Sequence, residues 1–273
     1  MSFLDKFEHA VAKNKSMVCV GLDPDLKRLP AHLQNTPTPI LSFLKEIVEA
    51  TKDLACSYKP NFAFFGAHGM AGWEALQGII KTIPNNIPIL LDFKAGDIGN
   101  TAAQYAHMAY DLLGADAVTV NPLMGTDAVE PFLSYQDRCA FLLCLTSNPG
   151  SADVLRLKTE QGDLYQVLAQ KAVTWSQIGP CGLVVGATHP DDLKHIRHIA
   201  PTLPILVPGV GSQGGDAEAV IKNGLDANGG GLLINASRTI LYASNGPNFA
   251  EAARKATEAL RTELNQAYLK IEG

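Results

Sequence analysis

LLDFKAGDIGNT, residues 90–101, begins like the inside of a sheet and ends in a cluster of charge. Leu90 and Leu91 read as buried strand, and Asp92, Lys94 and Asp97 then arrive within six positions. Side chains alternate along a strand, so Asp92 and Lys94 share one face while Phe93 points to the other. Charges set where a core strand runs out are the pattern expected at the rim of a parallel barrel.

That strand, PILLDF (88–93), is one of eight apolar segments. The others are MVCVGL (17–22), ACSYKP (55–60), DAVTVNP (116–122), CAFLLCLTS (139–147), GLVVGA (182–187), PILVPGV (204–210) and GLLINAS (231–237). Most are apolar on both faces, as in a parallel sheet covered on both sides. Between them, PILSFLKEIVEATKDL (39–54), NTAAQYAHMAYDLLG (100–114), LYQVLAQKAVTWSQIG (164–179), GDAEAVIKNG (215–224) and residues 248–273 repeat apolar positions at helical steps. The alternation predicts an α/β chain, a single (β/α)8 TIM barrel spanning residues 1–273 as one domain. The opening segment, MSFLDKFEHAVAKNKS, is expected to be a helix closing the bottom of the barrel. An open doubly wound sheet is the structural alternative.

Composition narrows the class. A net charge of −5, with Lys and Arg scattered, gives no reason to expect nucleic acid or an anionic membrane as partner. No apolar run reaches the roughly 18 residues of a membrane span, and the N-terminus lacks the apolar stretch of a signal peptide. The five cysteines, Cys19, Cys56, Cys139, Cys144 and Cys181, sit mostly in apolar runs without a CxxC pair. They read as buried thiols in a reducing cytoplasm rather than disulfides or metal ligands. A soluble, cytoplasmic protein without a bound metal is expected.

The strand ends carry the candidate site. Asp23 follows the first strand, Lys59 ends the second, Asp92 and Lys94 the third, and Asp97 lies just beyond. Two lysines and two aspartates on one rim are hard to explain as structure alone, since each desolvated charge costs several kcal/mol before pairing returns any of it. A lysine held among carboxylates is a positioned proton donor and a fixed positive charge, suited to a reaction that builds negative charge on carbon. PGVGSQGG and NASRTI follow strands seven and eight, the usual place of a phosphate site in such barrels. Gly209, Gly211, Gly214 and Gly215 allow close approach of an anion, and Arg238 offers a bidentate fork. Ser147, in the turn after strand five, either recognises a polar ring edge or simply forms a β-turn. His189 is the histidine best placed for a site, although a loop role suits it better; His195 and His198 read as solvent-facing.

LDFKAGDIGNT resembles the Asp-x-Lys-x-x-Asp-Ile signature of the orotidine 5′-phosphate decarboxylase family. CVGLDPD, SYKPNFAFF, ADAVTVNPLMG, LTSNPGSADV, PGVGSQGGD and NASRTILYAS are similar, in order, to blocks of its longer bacterial-type subgroup. The resemblance implies decarboxylation of orotidine 5′-monophosphate to uridine 5′-monophosphate, the last step of de novo pyrimidine nucleotide synthesis, without a cofactor. It implies a homodimer with shared sites. By motif, Lys94 is the proton donor to C6, Asp92 and Asp97 flank the departing carboxylate, and Lys59 bridges Asp92 and the ribose. Asp97 and Thr101 belong to the neighbouring subunit's site; Asp23 binds a ribose hydroxyl, Ser147 the pyrimidine edge, and Arg238 the phosphate. Gln213 links the pyrimidine side to the phosphate. Ser237 stands where shorter archaeal-type relatives have glycine, which leaves its backbone N–H an open question as a phosphate ligand. Two rival readings are a related Mg²⁺-dependent sugar-phosphate barrel and a nucleotide-binding barrel without catalysis.

Overall fold

Phe3, Phe7 and Ala10 recur at helical spacing, and Ser2 and Asp5 form a capping box ahead of them; together they set the first helix, α1 (Phe3–Asn14). The computed structural model describes residues 1–188, 190–210 and 216–272. After α1 come β1 (Val18–Leu22), α2 (Ala31–Gln34), α3 (Pro39–Thr51), β2 (Ser57–Pro60), α4 (Phe62–Gly66) and α5 (Gly69–Thr82). The middle of the chain holds β3 (Leu90–Ala95), α6 (Gly99–His107), β4 (Ala117–Val120), α7 (Thr126–Leu133) and β5 (Cys139–Leu145). There follow α8 (Ala152–Leu155), a short hairpin of β6 (Lys158–Thr159) and β7 (Gly162–Asp163), and α9 (Leu164–Trp175). The last part runs β8 (Cys181–Val185), α10 (Pro190–Ile199), β9 (Ile205–Pro208), α11 (Ala217–Gly224), β10 (Leu232–Ala236), α12 (Arg238–Leu241) and α13 (Phe249–Glu272).

Eight strands pair in parallel in the order β2-β1-β10-β9-β8-β5-β4-β3. Bridges Tyr58↔Ile89 and Asn61↔Asp92 bring the outer strands, β2 and β3, together. The open-sheet alternative is thereby excluded.

The period-two alternation sorts the core into two layers. Val18, Val20, Leu91, Val118, Leu232 and Ile234 face outward into the layer under the helices. Cys19, Leu90, Ala117, Phe141, Val184, Leu206 and Leu233 fill the barrel itself. Phe3 and Phe7 of α1 join that inner cluster from below, Phe3 lying edge-on to Phe141 at 5.5 Å. The N-terminal helix therefore closes the bottom as expected. Lys6 adds an ion pair to the buried Asp116 at 2.7 Å. All five cysteines are free and buried.

The helices α4 and α5 were not expected. Their sequence carries Gly66, Gly69, Gly72 and Gly78, which lower helix propensity. Packing outweighs that local preference: a β-carbon on Gly72 would meet the Phe65 carbonyl oxygen at 1.9 Å. Glycine here permits close approach rather than ending a helix.

Candidate active site

Two residues beyond the apolar layer, several strands again point inward, one level higher. That level is polar: Lys59 on β2, Asp92 on β3, Thr119 on β4 and Asn235 on β10, all buried. Asp92 is at its centre. Its Oδ2 accepts from Lys59 Nζ at 2.8 Å and its Oδ1 from Lys94 Nζ at 2.5 Å. Thr119 Oγ1 donates to Oδ1 at 2.9 Å.

Burial favours the neutral acid, but the Lys59 and Lys94 ammoniums outweigh it and hold Asp92 well below the usual carboxylate range. Burial likewise opposes the charge on Lys59; the carboxylates of Asp92 and Asp23 overcome it and raise Lys59 above the ordinary lysine value. The Lys59 side chain is 4% exposed and that of Lys94 47%. Lys59 is a fixed buried charge, and Lys94 is open to whatever enters.

Asp23 lies just past β1, and among the described residues its Oδ1 is buried without a hydrogen-bond partner; so are Thr188 Oγ1, past β8, and Asn235 Oδ1. Buried polar atoms left unpaired carry a desolvation cost, and three of them around strand ends mark a place that a polar ligand completes. The loop bearing Asp23 is tied down by Tyr242, whose hydroxyl donates to the Asp23 carbonyl at 3.0 Å and accepts from the Asp25 N–H at 2.6 Å. Arg28 covers the same ring at 3.9 Å.

Arg238 is exposed at the start of α12, with Ser237 as the residue before the helix. Ser147 sits half-buried just past β5, so near β8 that a β-carbon on Gly186 would lie 2.7 Å from its backbone nitrogen. Asp97 accepts from the Ile98 N–H at 2.8 Å, and Thr101 is exposed on α6. Within one chain, neither is bonded to the Asp92 cluster among the described residues. Gln213 lies outside the described residues, as do Gly211, Gly214, Gly215 and His189. His195 and His198 are exposed on α10, as expected.

The sequence reading missed Thr119, Thr188, Asn235 and Tyr242. Asparagine inside the apolar GLLINAS was a usable signal. Threonine in DAVTVNP was not, because a β-branched residue is ordinary in a strand.

Asp92 also bears on the magnesium reading. Both of its oxygens already face ammoniums, which oppose a cation at the same place. Among the described residues no three His, Cys, Asp or Glu side chains gather as a metal-binding group.

A profile of the "Orotidine 5'-phosphate decarboxylase / HUMPS family" matches residues 16–256. The chain belongs to this family. The orotidine 5′-phosphate decarboxylase of Herpetosiphon aurantiacus is 52% identical over 259 residues, covering 94% of this chain and 96% of that relative. That of Roseiflexus castenholzii is 48% identical over 269 residues, covering 98% of each. Among solved structures, Leishmania donovani OMP decarboxylase superposes with a TM-score of 0.87 at 39% identity, covering 98% of this chain and 100% of that one. Near-complete coverage by decarboxylases favours that branch of the orotidine 5′-phosphate decarboxylase / HUMPS family over the sugar-phosphate branch.

Proposed function

We propose that this chain is a cofactor-independent carboxy-lyase that converts orotidine 5′-monophosphate to uridine 5′-monophosphate and CO₂, the last step of de novo pyrimidine nucleotide synthesis. The observation that carries this reading is the Lys94 ammonium, half-exposed at the barrel mouth and anchored to an Asp92 that Lys59 also holds.

The chemistry lacks an electron sink. When the bond from C6 to the carboxylate breaks, CO₂ leaves and the electron pair stays on C6 in the ring plane. Lys94 stabilises that charge as it forms and then gives C6 a proton, returning to the ammonium by taking one from solvent. Its position is fixed in advance by Asp92, so little reorganisation is needed when charge develops. Asp92 and Asp97 beside the substrate carboxylate raise the ground state as a secondary contribution. Lys59 reaches both Asp92 and the ribose, and Asp23 takes a ribose hydroxyl with its unpaired oxygen. Ser147 meets the pyrimidine edge, Arg238 grips the phosphate, and Gln213 links the two. Phosphate binding far from C6 helps to orient the ring.

The active form in this reading is a homodimer in which Asp97 and Thr101 complete the neighbour's site. Ile98, Leu123 and Met124 support it: they are about half exposed, at 51%, 52% and 49%, around the ends of β3 and β4. Apolar side chains this exposed suit a surface that a second copy covers. Each chain acts as one barrel domain in the cytoplasm, where five buried free thiols are at home, and takes no nucleic acid as partner.

The test is direct. Orotidine 5′-monophosphate is added with EDTA and no cofactor, and the loss of its ultraviolet absorbance is followed together with CO₂ release. Turnover under those conditions is the expected result; uridine 5′-monophosphate binding without CO₂ release would make the chain a binding protein instead.

A further inference from the structure

Where β3 carries Asp92 and Lys94, its pairing with β4 breaks. Leu91 is opposite Val118 and Ala95 opposite Val120, so three residues of β3 face Thr119 alone. Such a bulge leaves ladder groups without their usual partners. Lys94 falls inside it and takes φ 49°, in the left-handed region. For a residue with a β-carbon that conformation is strained and needs outside support.

Thr119 supplies the support. Its hydroxyl oxygen accepts the backbone N–H of Phe93 at 3.1 Å and of Lys94 at 3.0 Å, the two donors stranded by the bulge. The hydroxyl proton goes to Asp92 Oδ1 at 2.9 Å, the same oxygen that receives Lys94 Nζ at 2.5 Å. One donor and two acceptors are the whole capacity of a hydroxyl, so none remains for a substrate. Thr119 is 1% exposed. A closed ring results: Lys94 main chain, Thr119 hydroxyl, Asp92 carboxylate, Lys94 ammonium.

We propose that Thr119 is a positioning residue for proton transfer: it fixes Lys94 at both ends by holding its strained backbone and the carboxylate that receives its ammonium. The proposal rests on the decarboxylase reading given above. Its effect is on where Lys94 points, not on how tightly the nucleotide binds. Misplacing a reacting group by about 1 Å costs up to roughly a hundredfold in rate.

The experiment compares Thr119→Val, which keeps the shape and loses the hydroxyl, with Thr119→Ser, which keeps the hydroxyl. Thr119→Cys fills similar space with a poor acceptor and gives the same reading should valine unfold the barrel. Three quantities are measured: kcat for orotidine 5′-monophosphate, Kd for uridine 5′-monophosphate, and the rate at which C6–H of bound uridine 5′-monophosphate exchanges with D₂O by NMR. Valine is expected to lower kcat and C6 exchange together, by roughly ten- to a hundredfold, while Kd moves less than about threefold and serine restores most of the rate. Wild-type turnover is the control that separates the two claims: if wild type releases no CO₂, the decarboxylase reading itself fails. If wild type is active and valine keeps its kcat, or if Kd worsens by the same factor as kcat, Thr119 is only structural and the proposal is overturned.

Discussion

Gly21 on β1 and Ser237 past β10 approach so closely that a β-carbon on Gly21 would lie 1.8 Å from the serine hydroxyl oxygen. The same atom would be 3.1 Å from Asn235 Oδ1. Gly21 is therefore an empty place in the polar level, beside Lys59 in the strand register. Gly21→Ala is expected to cost about 1–3 kcal/mol, the usual range for overpacking a tight site. Denaturant unfolding measures it. Adding Ser237→Gly removes the clashing hydroxyl, so the double variant should regain most of the loss. No recovery would mean that Asn235, not Ser237, sets the limit.

Lys94→Ala should lower turnover by many orders of magnitude, because it removes both the charge that meets the carbanion and the proton that quenches it. Binding of uridine 5′-monophosphate, carried largely by the phosphate end, should survive. Single-turnover CO₂ release and equilibrium titration separate the two effects. Near-normal turnover in this variant would remove Lys94 from the chemistry.

Arg238→Ala should act the other way, on affinity more than on the reacting bond. Losing a charged phosphate contact is worth about 2–4 kcal/mol in Kd for uridine 5′-monophosphate. Uridine, which lacks the phosphate, should bind both forms alike. Unchanged affinity for the monophosphate would place the phosphate site elsewhere.

The proposed shared site has an arithmetic signature. Lys94→Ala and Asp97→Ala chains should each be inactive alone, yet a mixed dimer would contain one site with both residues intact. After subunit exchange at equal amounts, about a quarter of all sites should be active, as two-fold symmetry dictates. Activity assays before and after mixing give the answer. No gain on mixing, with exchange confirmed by mass, would put Asp97 and Lys94 in the same chain's site or in none.

Acid sensitivity follows from Asp92. Its folded carboxyl is held below the ordinary value, so in the unfolded chain it takes up a proton at higher pH than in the folded one. Its contribution to stability is complete above the unfolded carboxylate pKa of about 3.9 and is lost as the pH falls below that towards the folded value. Urea midpoints measured from pH 7 downward should fall more steeply for wild type than for Asp92→Asn. That variant starts lower at pH 7, since it leaves the Lys59 charge buried without its partner.

The barrel was legible because its strands are apolar on both faces and separated by helical periodicity. What escaped was helix α5, where Gly72 and Gly78 argue locally against the helix that close packing favours. In the site, Asp92, Lys94 and Lys59 were readable as charges out of place at strand ends. Their union was expected from simple alternation along β3, whereas the strand bulges there and Lys94 turns left-handed. A one-dimensional period cannot announce a bulge whose support, Thr119, comes from the next strand. Asp97 and Thr101 show the other limit, for among the described residues neither is bonded to the Asp92 cluster within one chain.

The plug at the lower mouth has a consequence for vectorial synthesis. Phe3 and Lys6 leave the ribosome long before their partners, for Phe3 N–H binds the Asp137 carbonyl at 2.9 Å and Lys6 pairs with Asp116, 110 positions later. The nascent chain thus carries a greasy helix with nowhere to dock until β5 has been made. Sealing is a late event for a helix translated early, and bulk attached directly ahead of Ser2 would hinder it.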